Sequence, residues 1–309
     1  MNAFDLPGVA EPVAPGETAP DSASAAGSAS AYDLVRPSSP TTPLIYASPH
    51  SGRVYPSRMM QAALLDAEAI RRSEDVLVDC LVADAPGLGV PLLSARYARA
   101  YIDVNRQPYE LDQAMFADKL PAYADARTAR VAAGLGSIAR VVAEGQEIYR
   151  DKLTFADARE RIDRVHRPYH QALQQLIDDA KTAFGLAILI DWHSMPSAAA
   201  GGDARHSAPD MVLGDRFGAA CAPAVTALVE RALIGAGYHV ARNAPYAGGH
   251  TTEFYGRPAK GVHALQIELN RALYLDERTL EPTDGFAPLA KNLSALTNTL
   301  ATWNWKGSL

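Results

Sequence analysis

Two histidines, a pair of adjacent acids and a glutamate closing an apolar run are the side chains best suited to chemistry in this sequence. His50 stands in Ser48-Pro49-His50-Ser51-Gly52, directly after the apolar stretch Leu44-Ile45-Tyr46-Ala47. A histidine there can cap a turn as well as bind a metal. His193 stands in Asp191-Trp192-His193-Ser194, after Leu186-Ala187-Ile188-Leu189-Ile190. Strand alternation points Asp191 and His193 the same way, so the acid either orients the imidazole or shares its ligand. Glu268 closes His263-Ala264-Leu265-Gln266-Ile267, and burial there would raise its pKa toward the range of a general base or acid; an ion pair with Arg271 is the alternative. Asp103-Val104-Asn105-Arg106 sets a forked guanidinium beside an amide, a pairing that suits a carboxylate or a polarised carbonyl, unless Arg106 simply pairs with Asp103 or Glu110. Ser73-Glu74-Asp75 opens an apolar-periodic stretch, where either acid could serve as a helix cap or as a third ligand. Two histidines and one carboxylate around an open fourth position are the usual ligands of a hydrolytic zinc, which lowers the pKa of bound water.

These clusters need elements that bring them to one edge. Short apolar runs alternate with helical periodicity, the pattern of an α/β domain with a largely parallel sheet, whose ligands bind at the carboxyl ends of the strands. Strands are predicted at 43–48, 90–94, 100–104, 186–190, 238–242 and 263–268. Helices are predicted at 61–85, 128–145, 155–184, 223–235 and 287–302. Gly185, Gly237 and Gly261 fall where a left-handed residue is needed before a strand. His166 and His170 flank Arg167-Pro168-Tyr169 on one helical face; with no glutamate between them and a proline in the turn, they do not read as a metal pair. No phosphate-cradling glycine loop and no internal repeat is present.

Composition narrows the partners. The chain has 309 residues, 48% hydrophobic and 21% charged, with a net charge of -6; without a basic field, nucleic acid and anionic membrane surfaces are poor partners. A small molecule is the expected partner, and self-association is left open. Residues 1–40 are Ala-, Ser- and Pro-rich and almost free of aromatics, which predicts a disordered tail, followed by a single catalytic domain at 41–309. Cys80 and Cys221 lie among apolar residues, as reduced thiols do. No secretory start and no run of about 18 apolar residues is found; the expectation is a cytoplasmic, soluble protein.

Read in order, the segments SPHSG, SEDVLVD, YIDVNR, HRPYH, LIDWHSMPS, NAPYAGGHTTEFYGRP and HALQIELNRALYLDE closely resemble the N-formylglutamate amidohydrolase family, over about residues 42–300. The resemblance implies a three-layer α/β/α sandwich akin to zinc exopeptidases, and a hydrolase in which one divalent ion, zinc first, activates water to cleave the amide of an N-formyl or other N-acyl amino acid. It implies His50, Asp75 and His193 as metal ligands, with Glu74 the alternate acid. Zinc carboxypeptidases carry a glutamate ligand three residues after the first histidine; Arg53 stands there in this sequence, so the carboxylate comes from elsewhere. Glu268 resembles the glutamate that shuttles the proton to the leaving amine, Asn105-Arg106 the pair that holds a substrate carboxylate, and Arg99 or Arg106 the oxyanion donor. His250 and Arg167 are further substrate-contact candidates. Family members carry an arginine and a lysine before the paired glycines, and commonly an arginine in place of Glu253. The present segment, Asn243-Ala244-Pro245-Tyr246-Ala247-Gly248-Gly249, has neither cation, which predicts weaker holding of an acidic side chain by that loop. Rival readings are a zinc peptidase or N-acyl amino acid deacylase on this scaffold, and a metal-free binding protein.

Overall fold

The computed structural model describes residues 30–142, 145–200 and 208–307. Seven strands form one mixed sheet: β1 (Tyr32–Val35), β2 (Leu44–Ser48), β3 (Leu92–Ala95), β4 (Ala187–Met195), β5 (Met211–Gly214), β6 (Val240–Arg242) and β7 (Val262–Asn270). Their order is β1-β3-β2-β4-β7-β5-β6. The block β3-β2-β4-β7 is parallel, β1 is antiparallel to β3, and β5 is antiparallel to β7. The helices are α1 (Ser57–Ala62), α2 (Val78–Leu81), α3 (Ala129–Ala132), α4 (Phe155–Arg161), α5 (Arg167–Phe184), α6 (Pro223–Gly235), α7 (His250–Tyr255) and α8 (Phe286–Ala301).

The two-residue period of β4 divides the core into two faces. Ile188, Ile190 and Trp192 pack with Leu289, Leu293, Leu296 and Leu300 of α8 and with Val225 and Val229 of α6. Ala187 and Leu189 pack with Tyr169, Leu173, Leu176 and Ile177 of α5. The fold is therefore the expected three-layer α/β/α sandwich. A fully buried α5 leucine such as Leu173 contributes roughly 1.5–3 kcal/mol by its removal from water. Gly185 ends α5 in the left-handed conformation, φ 83, as its position before β4 predicts. Upstream, a capping box between Thr154 and Asp157 opens α4, and a π-helical stretch at Ile162–His166 provides a wider turn ahead of Pro168, which has no N–H to donate.

Several predicted elements are otherwise. Residues 100–104 form turns, not a strand: Tyr101 N and Ile102 N both donate to the Ala98 carbonyl, at 2.9 and 3.2 Å, and Asp103 N donates to Ser137 O at 2.7 Å. Ile102 and Val104 are buried in the α5-side core, so alternating burial imitates a strand there. The helix predicted at 61–85 is broken. Asp66 Oδ1 accepts from Glu68 N and Ala69 N, turning the chain after α1, and Leu77 adopts φ 60 immediately before α2. The helix predicted at 128–145 shrinks to α3, closed two residues later by Gly134 at φ 77. Of the predicted tail, residues 1–29 lie outside the described residues, while Tyr32–Val35 form edge strand β1. β5, which the sequence reading omitted, is four fully buried residues, Met-Val-Leu-Gly. Cys80 and Cys221 are free thiols, and no helix among the described residues is long and apolar enough to cross a membrane.

Candidate functional site

β4 and β7 are nine residues long, so the polar clusters predicted at loop starts lie on strands that outrun their neighbours. Their parallel register pairs Asp191 with Gln266 and His193 with Glu268. By alternation, all four side chains lie on the sheet face that α5 covers further back, at the point where its cover ends. β2 ends at Ser48, and the loop after it brings in His50. Asp75 N donates to the His50 carbonyl at 3.0 Å, which fixes the acid beside the histidine.

Three acceptor atoms converge here. His193 Nδ1 lies 3.1 Å from His50 Nδ1 and 3.0 Å from Asp75 Oδ2, and His50 Nδ1 lies 3.3 Å from the same oxygen. All three residues are buried. The outer ring nitrogens are both engaged by carboxylates: His50 Nε2 donates to Asp103 Oδ1 at 2.7 Å and His193 Nε2 to Asp191 Oδ2 at 3.0 Å. Donation from Nε2 leaves the Nδ1 lone pairs facing Asp75, the carboxylate–histidine arrangement that orients metal ligands. Two imidazole nitrogens and one carboxylate oxygen around one point require a cation or a proton between them. The donor set fits a divalent ion of the zinc type. Arg271 Nη2 and Ser194 Oγ both donate to Asp75 Oδ1, each at 3.3 Å, leaving Oδ2 to the centre. Glu74 faces away, bonded by Tyr55 at 2.7 Å and by Arg71; between the two adjacent acids, Asp75 is the one in the cluster, and neither is the N-cap of α2, a position that Leu77 takes.

The electrostatics follow from burial and these partners. Burial alone would push the Asp75 carboxyl up, yet the two imidazoles hold it well below the usual range. Burial opposes charge on His193, but Asp191 and Asp75 raise its pKa well above the ordinary value. Asp103 is likewise held low, against burial, by His50, Arg99 and Arg106. Glu268 differs: burial outweighs the attraction of His193 and Arg99 and pushes it up to about 7. Among the described residues its carboxylate accepts from Gln266 Nε2 at 2.7 Å, whose Oε1 accepts from Gly249 N at 2.7 Å.

Asn105 ties the centre to the opposite loop. Its Nδ2 donates to Asp191 at 3.4 Å, beside His193 Nε2, and its Oδ1 accepts from Thr251 N at 2.8 Å. A Cβ on Gly249 would meet that amide at 2.6 Å, so glycine is required for the close approach. A cavity of about 720 Å³ opens over the cluster; His50, Asp75, His193, Glu268, Arg99, Asn105 and Arg106 all line it. Arg99 donates to Asp103 at 2.7 Å, and Arg106 to the Leu135 and Asn105 carbonyls. Two predicted contacts are not brought there. Arg167 is exposed and paired with Asp163 at 2.9 Å, because the helical face that buries His166 and His170 turns it to solvent. His250 does not line the cavity; its ring lies edge-on to His170 and tilted against Phe254. Asp103, Gln266 and Arg271 were missed as orienting groups; their two-residue spacing from Asn105 and Glu268, and the direct sequence to Asn270, were the available signals.

A parallel-centred α/β/α sandwich with a buried His-Asp-His centre and a near-neutral glutamate at its strand edge defines a hydrolase-type site. The model of the N-formylglutamate amidohydrolase family matches residues 42–275, and the chain belongs to that family. It is 33% identical over 241 residues to an N-formylglutamate deformylase of Pseudomonas aeruginosa, covering 76% of this chain and 83% of the relative. A Pseudomonas putida N-formylglutamate deformylase is 30% identical over 242 residues, with 76% and 82% covered. The crystal structure of N-formylglutamate amidohydrolase from Ralstonia eutropha JMP134 superposes with a TM-score of 0.85 at 38% identity, covering 90% of this chain and 100% of that one.

Proposed function

We propose that this chain hydrolyses the amide of an N-formyl amino acid, with N-formylglutamate as its leading substrate, and that His50, Asp75 and His193 hold one zinc ion. The observation that carries the reading is the convergence of His50 Nδ1, His193 Nδ1 and Asp75 Oδ2 within one small volume, beside a glutamate held near neutrality. A zinc ion bound there would acidify water and polarise a carbonyl oxygen. Glu268 takes a proton from the attacking water, whose oxygen bonds to the formyl carbon, and gives it to the amide nitrogen as the C–N bond breaks, releasing formate and a free amino acid. Asp103 and Asp191 keep the two imidazoles turned inward. Arg99 and Arg106 supply cationic N–H groups toward the substrate carboxylate and the developing oxyanion. Asn105 holds the α-carboxylate side of the pocket in register.

The relatives' activity supports this reading, and the cavity volume of about 720 Å³ favours one second reading, release of a larger acyl group by the same residues. The test is elemental analysis of protein purified without added metal, followed by formate release from a panel of N-formyl amino acids. One metal per chain with formate release supports the proposal. Metal without formate moves the assignment to longer acyl groups or peptides, and no metal leaves a binding protein.

A further inference from the structure

Six arginines line the cavity: Arg72, Arg99, Arg106, Arg130, Arg216 and Arg271. Three are anchored by contacts within the protein. Arg99 is held by Asp103, Arg106 by two backbone carbonyls, and Arg271 by Asp75, Ser194 and the Glu74 carbonyl. Of the other three, Arg72 is exposed and Arg130 and Arg216 each hold one partly exposed ion pair; what sets Arg216 apart is the backbone beneath it. The ion-pair partner of Arg216 is Glu253 Oε1 at 3.2 Å, and both side chains are partly in solvent, where such a pair is worth little and exchanges readily.

The backbone under Arg216 is nonetheless fixed with unusual care. Arg216 and Phe217 both adopt left-handed conformations, φ 55 and 56, which cost on the order of 1 kcal/mol each in non-glycine residues and persist only where surrounding bonds impose them. Those bonds are present: Asn243 Oδ1 accepts from Asp215 N and Phe217 N, Asp215 accepts from Gly218 N, Thr226 and Asn243 Nδ2, and Arg216 N donates to the Ala247 carbonyl at 2.8 Å. Glycines open the path. A Cβ on Gly214 would meet the Ala247–Gly248 peptide at 2.7 Å, and one on Gly248 would press on Arg216 Cδ at 3.3 Å. The stem of Arg216 thus crosses Gly248 onto a wall, Pro245 to Gly249, that contains no cation of its own.

We propose that Arg216 is the specificity-determining residue for an acidic side chain: its guanidinium, resting on Glu253 in the free protein, exchanges that carboxylate for the distal carboxylate of the substrate. This rests on the function proposed above. Glu253 then acts as a competitor that weakens the preference without abolishing it.

The test is steady-state kinetics on the zinc-loaded full chain with N-formylglutamate and its neutral isostere N-formylglutamine. Arg216→Gln should lower kcat/KM for N-formylglutamate by roughly 10- to 100-fold, mostly through KM, the loss expected for one charge-assisted pair. The glutamine substrate should change less than about 3-fold. Arg216→Lys, which keeps the charge and the fold, should retain most of the preference, and Glu253→Gln should raise it. Equal losses on both substrates, or a preference that collapses in Arg130→Gln and survives in Arg216→Gln, overturns the assignment while leaving the proposed function standing. Formate from neither substrate in the unsubstituted protein overturns both.

Discussion

Acidification should destabilise this protein through two histidines that do not line the cavity. The rings of His166 and His170 lie 4.3 Å apart; His166 Nε2 donates to the Arg106 carbonyl at 2.8 Å and His170 Nε2 to the Val104 carbonyl at 2.7 Å. Burial drives His166 down to about 4 and His170 to about 3, so both are neutral in the fold. In the unfolded chain they titrate near 6.5. The unfolded state therefore binds more protons between those limits: the stabilisation is complete above about 6.5 and is lost as pH falls toward the folded values. Linkage from pH 7 to pH 5 gives a loss of about 2 kcal/mol for each histidine, or about 4 kcal/mol together. Urea unfolding at the two pH values measures it. His170→Gln keeps a donor for Val104 and removes one titrating group, so its loss on acidification should be smaller than that of the unsubstituted protein by about 2 kcal/mol. Comparing the two proteins cancels the titrating groups that His170 does not face; His166 and His250, which do face it, stay in both. An identical loss in both would refute the assignment of neutral buried histidines.

Glu268→Gln should keep metal content near normal and reduce turnover at least about 10²-fold, measured as formate release, since only the proton carrier is removed. Gly249→Ala should leave the far-ultraviolet circular dichroism unchanged but cut kcat by about 10- to 100-fold, because the new methyl displaces the Asn105 amide beside His193. Zinc at a hundredfold excess over its Kd should stabilise the protein by about 2.7 kcal/mol, seen as a rise in Tm that a chelator reverses. Asp103→Asn, which weakens the orientation of His50, should cost about 10- to 100-fold in zinc affinity by competition with a chromogenic chelator.

How far the sequence foretold this molecule depends on how local each signal was. His50, His193, Asn105 and Glu268 were legible because apolar runs end just before them, and a parallel sheet gathers strand ends at one edge. Asp75 was legible only as one of two acids, since the choice depends on Tyr55 and Arg71 drawing Glu74 away, contacts that no local pattern encodes. The strand expected at 100–104 failed for a related reason. Ile102 and Val104 alternate inward, but their partners are a turn carbonyl and α5, so burial periodicity was read as a hydrogen-bond ladder. Arg167 lies on the solvent side of its helix, with Asp163 one turn back, whereas Tyr169, also between the two histidines, is fully buried; the motif alone does not say which of the intervening residues turns outward.

The arrangement also explains why orienting groups and reacting groups differ in visibility. β4 and β7 have nine residues each while β2, β3 and β5 have four or five, so the carboxyl half of β4 runs past β2 and pairs with β7, which β5 braces from its other side. One face of that overhang is sealed by Trp192, Ile267 and Leu269 in the α8-side core, and the other opens to the cavity. Residues on the overhang inherit the rigidity of the ladder, as a site that must hold sub-ångström geometry requires. The Asn105–Arg106 loop has no such ladder. It is held instead by donation from His166 and His170 to the carbonyls on either side of Asn105. The same two neutral imidazoles that make the fold acid-sensitive therefore fix the loop; protonation keeps the Nε2–H donors but charges two desolvated rings, so this helix–loop contact should open before the strands yield.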